Sequence, residues 1–142
     1  ITSSNAMYYD LDYGFLGDTS KIFDGKEGFR PVTGKSNIYY NKNLTIDKRI
    51  KTILCGIEEE EIPFILIPDD EDDVKILGDK AAKSSKLGVG IGINSNEVTL
   101  YQEKLSVEKP LFECSLNSSD YILRAIGTNG ARLIKGNPFI II

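Results

Sequence analysis

The sequence predicts an α/β domain: a three-layer α/β/α sandwich around a mostly parallel sheet of about five strands, one of them antiparallel. Three observations carry this. Short apolar runs of strand length alternate with stretches whose apolar residues recur every three or four positions, the pattern of helices packed on a sheet. A glycine-alternating run at 87–93 is followed at once by Asn94-Ser95-Asn96 and a second strand pattern, which places a hairpin in the series. Hydrophobic residues make up 41% of 142, enough to fill one such core.

The elements come in order. Asn37-Ile38-Tyr39-Tyr40 reads as a strand and Asn43 as a helix N-cap. Ile46, Ile50, Ile53, Leu54 and Ile57 give one apolar helix face, which must end near Glu61 or Ile62 because Pro63 disfavours helical backbone before it. Phe64-Ile65-Leu66-Ile67 reads as a strand covered on both sides, ended by Pro68. Asp69 to Asp73 suit the positive end of a helix carried by Val74, Leu77, Ala81 and Ala82 to about Ser84. Leu87 to Ile93 is a buried strand whose glycines imply close backbone approach, and Glu97 to Tyr101 returns beside it. Pro110 to Cys114 is a further strand. Ser118 or Ser119 caps a last helix to about Ile134, in which Gly127 and Gly130 imply close packing.

The domain is expected at 35–142. Before it, residues 7–34 hold Gly14, Gly17, Gly25 and Gly28 with several aromatics and no sustained periodicity, and read as an irregular arm. Residues 1–6 resemble a tag remnant ahead of Met7.

Composition argues against several functions. With 17 basic and 21 acidic residues the net charge is −4, wrong for a chain that must displace counterions from nucleic acid or settle on an anionic membrane. No histidine occurs, which removes the commonest general base and metal ligand. Cys55 and Cys114 stand alone and read as reduced, buried thiols. No apolar stretch approaches membrane-spanning length. Gly88-Val89-Gly90-Ile91-Gly92 lies inside a strand instead of the strand-to-helix turn that a dinucleotide site needs.

Two features point to contact chemistry. Glu58-Glu59-Glu60-Glu61 puts four carboxylates at the negative end of a helix, where each costs on the order of 0.3–1 kcal/mol when exposed. A solvated charge run is one reading; a cation or basic partner that completes the cluster is the other, and one of these carboxylates suits Mg²⁺. Lys104, Arg124, Arg132 and Lys135 supply positive charge in the last third, and Arg124 and Arg132 share a helix face.

Several segments together resemble the small subunit of the diol/glycerol dehydratase-reactivating factor. They are Gly56-Ile57-Glu58-Glu59-Glu60-Glu61-Ile62-Pro63-Phe64, then Ala81-Ala82-Lys83-Ser84-Ser85-Lys86-Leu87-Gly88-Val89-Gly90-Ile91-Gly92, then Lys104-Leu105 and Pro110-Leu111-Phe112. The last runs from Leu123-Arg124 through Gly127, Asn129, Ala131, Leu133, Lys135 and Gly136 to Pro138. The likeness covers about residues 36 to 139. Lys86 stands where the family often has proline, and Glu61 where it usually has glycine. The resemblance implies the fold of the B12-dependent dehydratase-associated subunits, similar to an anticodon-binding domain. It implies a chaperone-like, non-catalytic subunit that acts with a large ATPase subunit, on which ATP and ADP bind, to release damaged cobalamin from the inactivated dehydratase by subunit exchange. Glu59 would help hold Mg²⁺ at the interface with the large subunit. Glu58, Glu60, Lys104, Arg124, Asn129, Arg132 and Lys135 would form the surrounding partner surface. The implied partners are the large subunit and the dehydratase, with no nucleic acid or membrane. The implied location is the cytoplasm, with association with a bacterial microcompartment left open. The alternative is a structural medium subunit of the dehydratase itself.

Overall fold

A computed structural model describes residues 35–142 and, before them, two two-residue strands, β1 (Tyr9–Asp10) and β2 (Asp12–Tyr13), that pair with each other. The readings of residues 1–6 and of the 7–34 arm otherwise lie outside the described residues. The chain divides into two compact units, Ile1–Thr33 and Gly34–Ile142.

The elements of the second unit are β3 (Ser36–Asn41), α1 (Lys48–Glu59), β4 (Phe64–Asp69), α2 (Val74–Ser84), β5 (Val89–Ile93), β6 (Glu97–Gln102), β7 (Phe112–Ser115) and α3 (Asp120–Lys135). The sheet order is β4-β3-β5-β6-β7. Strands β4, β3 and β5 are parallel, while β6 is antiparallel to both its neighbours. Four strands therefore run one way and β6 alone runs the other, as expected. The connection β3–α1–β4 steps one way along the sheet and β4–α2–β5 steps back, so α1 and α2 fall on opposite faces. Helix α3 packs against α1. Alternate residues of β5 show both faces. A Cβ at Gly90 would run into Ala81 and Ala82 of α2, and one at Gly92 into the Gly78 backbone. Ile91 points the other way, to α3.

The aliphatic stripe of α1 (Ile50, Ile53, Ile57) is fully buried, as are Leu77, Ile91, Ile93, Leu100, Leu123 and Ile126. Helices α1 and α3 cross where neither carries a side chain: Gly127 lies against the carbonyl of Ile53, and Gly56 against the backbone of Arg124 and Thr128. Close packing through Gly127 is as expected. Gly130 is looser, since a Cβ there would first meet the Leu100 side chain at 3.3 Å.

Some local expectations need correction. Helix α1 is capped by Asp47, whose carboxylate accepts from Arg49 N at 3.0 Å, and not by Asn43. Asn43 sits in the turn after β3, its N–H held by the side chain of Asn41. Pro68 lies inside β4 rather than ending it. Strand β4 is an edge strand, where a residue without an N–H is tolerated. Nor is β4 covered on both sides, since Ile65 is exposed. Asp69 belongs to β4, and Asp73 is the N-cap of α2, accepting from Lys75 N and Ile76 N. Leu87 and Gly88 form a turn before β5, with Gly88 at φ +71°. Strand β7 begins at Phe112 rather than Pro110.

Candidate functional site

The acidic run sits at the C-terminal end of α1 because the helix stops there. Glu60 caps it, and Glu61 takes a left-handed backbone at φ 61°. That conformation favours glycine, so a glutamate holds it at a cost in backbone strain. The Glu61 N–H donates to Glu58 O at 2.9 Å and closes the turn.

Helix α3 brings its basic residues to this end. Arg124 Nη1 lies 2.6 Å from Glu59 Oε2, and both side chains are about half exposed. Glu60 is the better-shielded carboxylate, with 16% of its side chain accessible, and it is held from two sides. Lys135 Nζ is 2.8 Å from its Oε1 and also donates to its backbone carbonyl at 3.1 Å. Arg132 Nε donates to its Oε2 at 3.3 Å. The Lys135 hydrogen bond, with Arg132 adding to it, holds the Glu60 carboxyl below the usual range against the opposing effect of burial. Half-buried Glu58 has no ion-pair partner among the described residues, and burial pushes its carboxyl up. Part of the charge mismatch is thus answered within the chain: the end of α3 neutralises the end of α1.

The remaining expected residues lie elsewhere. Asn129 is fully buried at mid-helix. Its amide donates to Ile140 O at 3.0 Å and its Oδ1 accepts from Ile140 N at 2.7 Å. It therefore acts on the segment after α3. Lys104 is exposed on the β6–β7 connection, where its N–H donates to the side chain of Gln102, and it makes no bond to the acidic run. Arg132 also reaches Pro138 O at 3.3 Å, joining the acidic run to the C-terminal segment. Among the described residues, no group of three or more His, Cys, Asp or Glu could hold a metal ion. Glu59 alone offers one exposed carboxylate, paired here with Arg124. Cys55 and Cys114 are half-buried, and burial pushes both thiols up, which suits inert side chains.

Sequence reasoning gives no role to residues 137–142. Gly136 stops α3 in a left-handed conformation, and the segment turns back along the helix. The signal was a single asparagine among small residues on the helix face, a polar group that needs a partner when buried.

A family model described as dehydratase medium subunit matches residues 35–140. A propanediol dehydratase-reactivating factor small subunit from Citrobacter freundii is 39% identical over 87 residues, 61% of this chain and 75% of its own length. A diol dehydratase-reactivating factor small subunit from Klebsiella michiganensis is 37% identical over 89 residues, 63% of this chain and 71% of its own. The chain belongs to the family of dehydratase-reactivating factor small subunits. A solved glycerol dehydratase reactivase superposes with a TM-score of 0.72 at 32% identity, covering 75% of this chain and 96% of that one. A diol dehydratase-reactivating factor complexed with ADP and Mg²⁺ gives 0.71 at 32% identity, covering 78% and 100%. The relatives carrying these names are reactivating-factor subunits and not the dehydratase, which sets the medium-subunit alternative aside. No helix among the described residues is long and apolar enough to cross a membrane.

Proposed function

We propose that this chain is a non-catalytic small subunit that docks on a large ATPase partner, and that Glu59 is the carboxylate it lends to an Mg²⁺ ion shared across the interface. Nucleotide binds the large subunit alone. The reactivated client is the cobalamin-dependent dehydratase, reached by exchange of equivalent subunits in the cytoplasm or in a microcompartment. Supporting this are the family membership, the negative charge with no histidine, and the geometry of Glu59.

The geometry of Glu59 carries most of the weight. Its carboxylate is kept at the exposed end of α1 by one half-exposed ion pair. Pairs of this kind contribute about 0.2–1 kcal/mol, so release to a metal is inexpensive. Arg124 thus holds the carboxylate in place before docking and becomes free to meet an acid on the partner afterwards. Mg²⁺ takes one or two protein carboxylates and fills its octahedron with water and other oxygen donors, so a single glutamate is an adequate contribution. When bound, the ion supplies electrostatic bridging between the two proteins.

The test is the dissociation constant of the full chain for the purified large subunit, with Mg²⁺ and with EDTA. Glu59→Gln weakens binding roughly tenfold in Mg²⁺, equivalent to about 1.4 kcal/mol, and leaves binding in EDTA unchanged. A wild-type affinity that is the same in both buffers refutes the ligand assignment.

A further inference from the structure

Four exposed large apolar side chains lie on and beside the segment that follows α3. Ile141 is 89% exposed, Tyr121 61%, Ile142 45% and Phe139 38%. The segment beneath them is well held. Asn129 makes its paired bonds to Ile140, Arg132 reaches Pro138 O, and Asn137 N donates to Arg132 O at 2.9 Å. Phe139 meets Phe112 edge-on, with ring centroids 5.4 Å apart. The Tyr121 hydroxyl lies 3.4 Å from Ile141 O, which ties the first turn of α3 to the segment's far end. A backbone fixed at so many points while turning apolar side chains to solvent is a prepared surface. Contiguous exposed apolar patches on soluble chains mark interaction sites.

The position of the patch indicates its occupant. Tyr121 stands three residues before Arg124 on α3, and residues at that spacing are neighbours on a helix surface. The patch therefore continues directly from the Glu59–Arg124 pair. Arg132 links the two physically, bonding Glu60 on one side and Pro138 on the other.

We propose that Tyr121 and the Pro138–Ile142 segment form the apolar half of the same docking surface, and that the occupant is the large partner subunit. Its matching face carries an apolar groove beside its metal-bearing site. This rests on the docking reading above and adds to it. The polar half supplies the Mg²⁺ dependence, and the apolar half supplies affinity that does not depend on the metal. Tyrosine anchors beside a polar site are typical of the residues that dominate interface energy.

The experiment uses the full chain and the purified large subunit. Tyr121→Ser and Ile141→Ser are each measured with Mg²⁺ and with EDTA, beside Glu59→Gln. Each apolar variant is expected to weaken binding roughly tenfold in both buffers, with melting unchanged because both side chains are exposed. Wild-type affinity in both apolar variants overturns the inference. If Glu59→Gln still loses its Mg²⁺ response in that case, the docking reading stands alone. If the apolar variants weaken binding and Glu59→Gln does not, the surface holds and the metal assignment falls. Sedimentation of the isolated chain covers the other occupant: a dimer that Ile141→Ser dissociates makes the patch a self-interface and overturns the proposal.

Discussion

Gly127→Ala tests the helix crossing that sets the whole candidate site. An alanine in mid-helix is intrinsically favoured over glycine by about 0.8–1.0 kcal/mol, so propensity alone predicts a more stable protein. The geometry predicts the opposite. The new methyl would overlap the carbonyl oxygen of Ile53, and the nearest atoms are backbone that cannot rotate away. Gly56, on the facing helix, is equally tight against Arg124 and Thr128, so α1 cannot slide locally to make room. The helices must separate, loosening the buried stripe of Ile50, Ile53 and Ile57. Overpacking of this kind costs typically 1–3 kcal/mol, and a backbone obstruction belongs at the top of that range. Set against the propensity gain, the net loss is about 2 kcal/mol. For a domain of this size that lowers the melting temperature by roughly 7–10 °C. Gly130→Ala is the control. Its methyl would first meet a Leu100 methyl at 3.3 Å, the far end of a side chain, so crowding and propensity nearly cancel and melting stays close to wild type. Urea denaturation of the three proteins, monitored by far-UV circular dichroism, decides it. A Gly127→Ala midpoint at or above wild type refutes the crossing argument.

Two further outcomes concern the same end of the molecule. Glu60 has a folded-state pKa depressed chiefly by Lys135, so the stability it contributes is full above the unfolded carboxylate pKa of about 4.3 and is lost as pH falls through the lower folded value. Glu60→Gln should therefore lower the denaturation midpoint at neutral pH and converge on wild type in acid; parallel pH profiles would contradict the assignment. Asn129→Leu leaves the Ile140 N–H and carbonyl without their partner at a cost of about 1–3 kcal/mol. The Ile140 amide should lose its hydrogen-exchange protection while β5 amides keep theirs, and retained protection at Ile140 would show that something other than Asn129 holds the segment.

Much of the fold was legible because alternation and helical spacing are strong local signals. The glycines of β5, set between Val89, Ile91 and Ile93, told that the strand is buried and that another backbone comes close, which the structure places as α2. Strand neighbours were less legible. Phe64 to Ile67 is as apolar as a central strand, yet β4 sits at the edge, and Pro68 was the residue that said so: it fits inside a strand only where its missing N–H is not needed. The N-cap was misplaced because Asn43 and Asp47 are both good caps. Burial of Ile50 and Ile53 decides between them, and that is a tertiary fact. At the site, the acidic run was conspicuous, but its cis partners were not. Arg124, Arg132 and Lys135 lie 65 to 75 positions away from the glutamates they meet, a pairing that only the glycine crossing of α1 and α3 creates.

The arrangement of charges also bears on how such a subunit could let go. A surface built only of buried, fully paired charge would be costly to separate, since removing one partner strands the other. Here the two carboxylates divide the work. Glu60 is shielded and doubly held, fixing the end of α1 to α3. Glu59, next to it, is exposed and held by one releasable arginine. Before docking, the Arg124 pair offsets part of the repulsion within the run. In the docking proposed above, the partner and its metal would take over that role. On that reading each state would have a counter-charge for Glu59, and neither would leave an unpaired carboxylate. Such a balance would suit the subunit exchange proposed above.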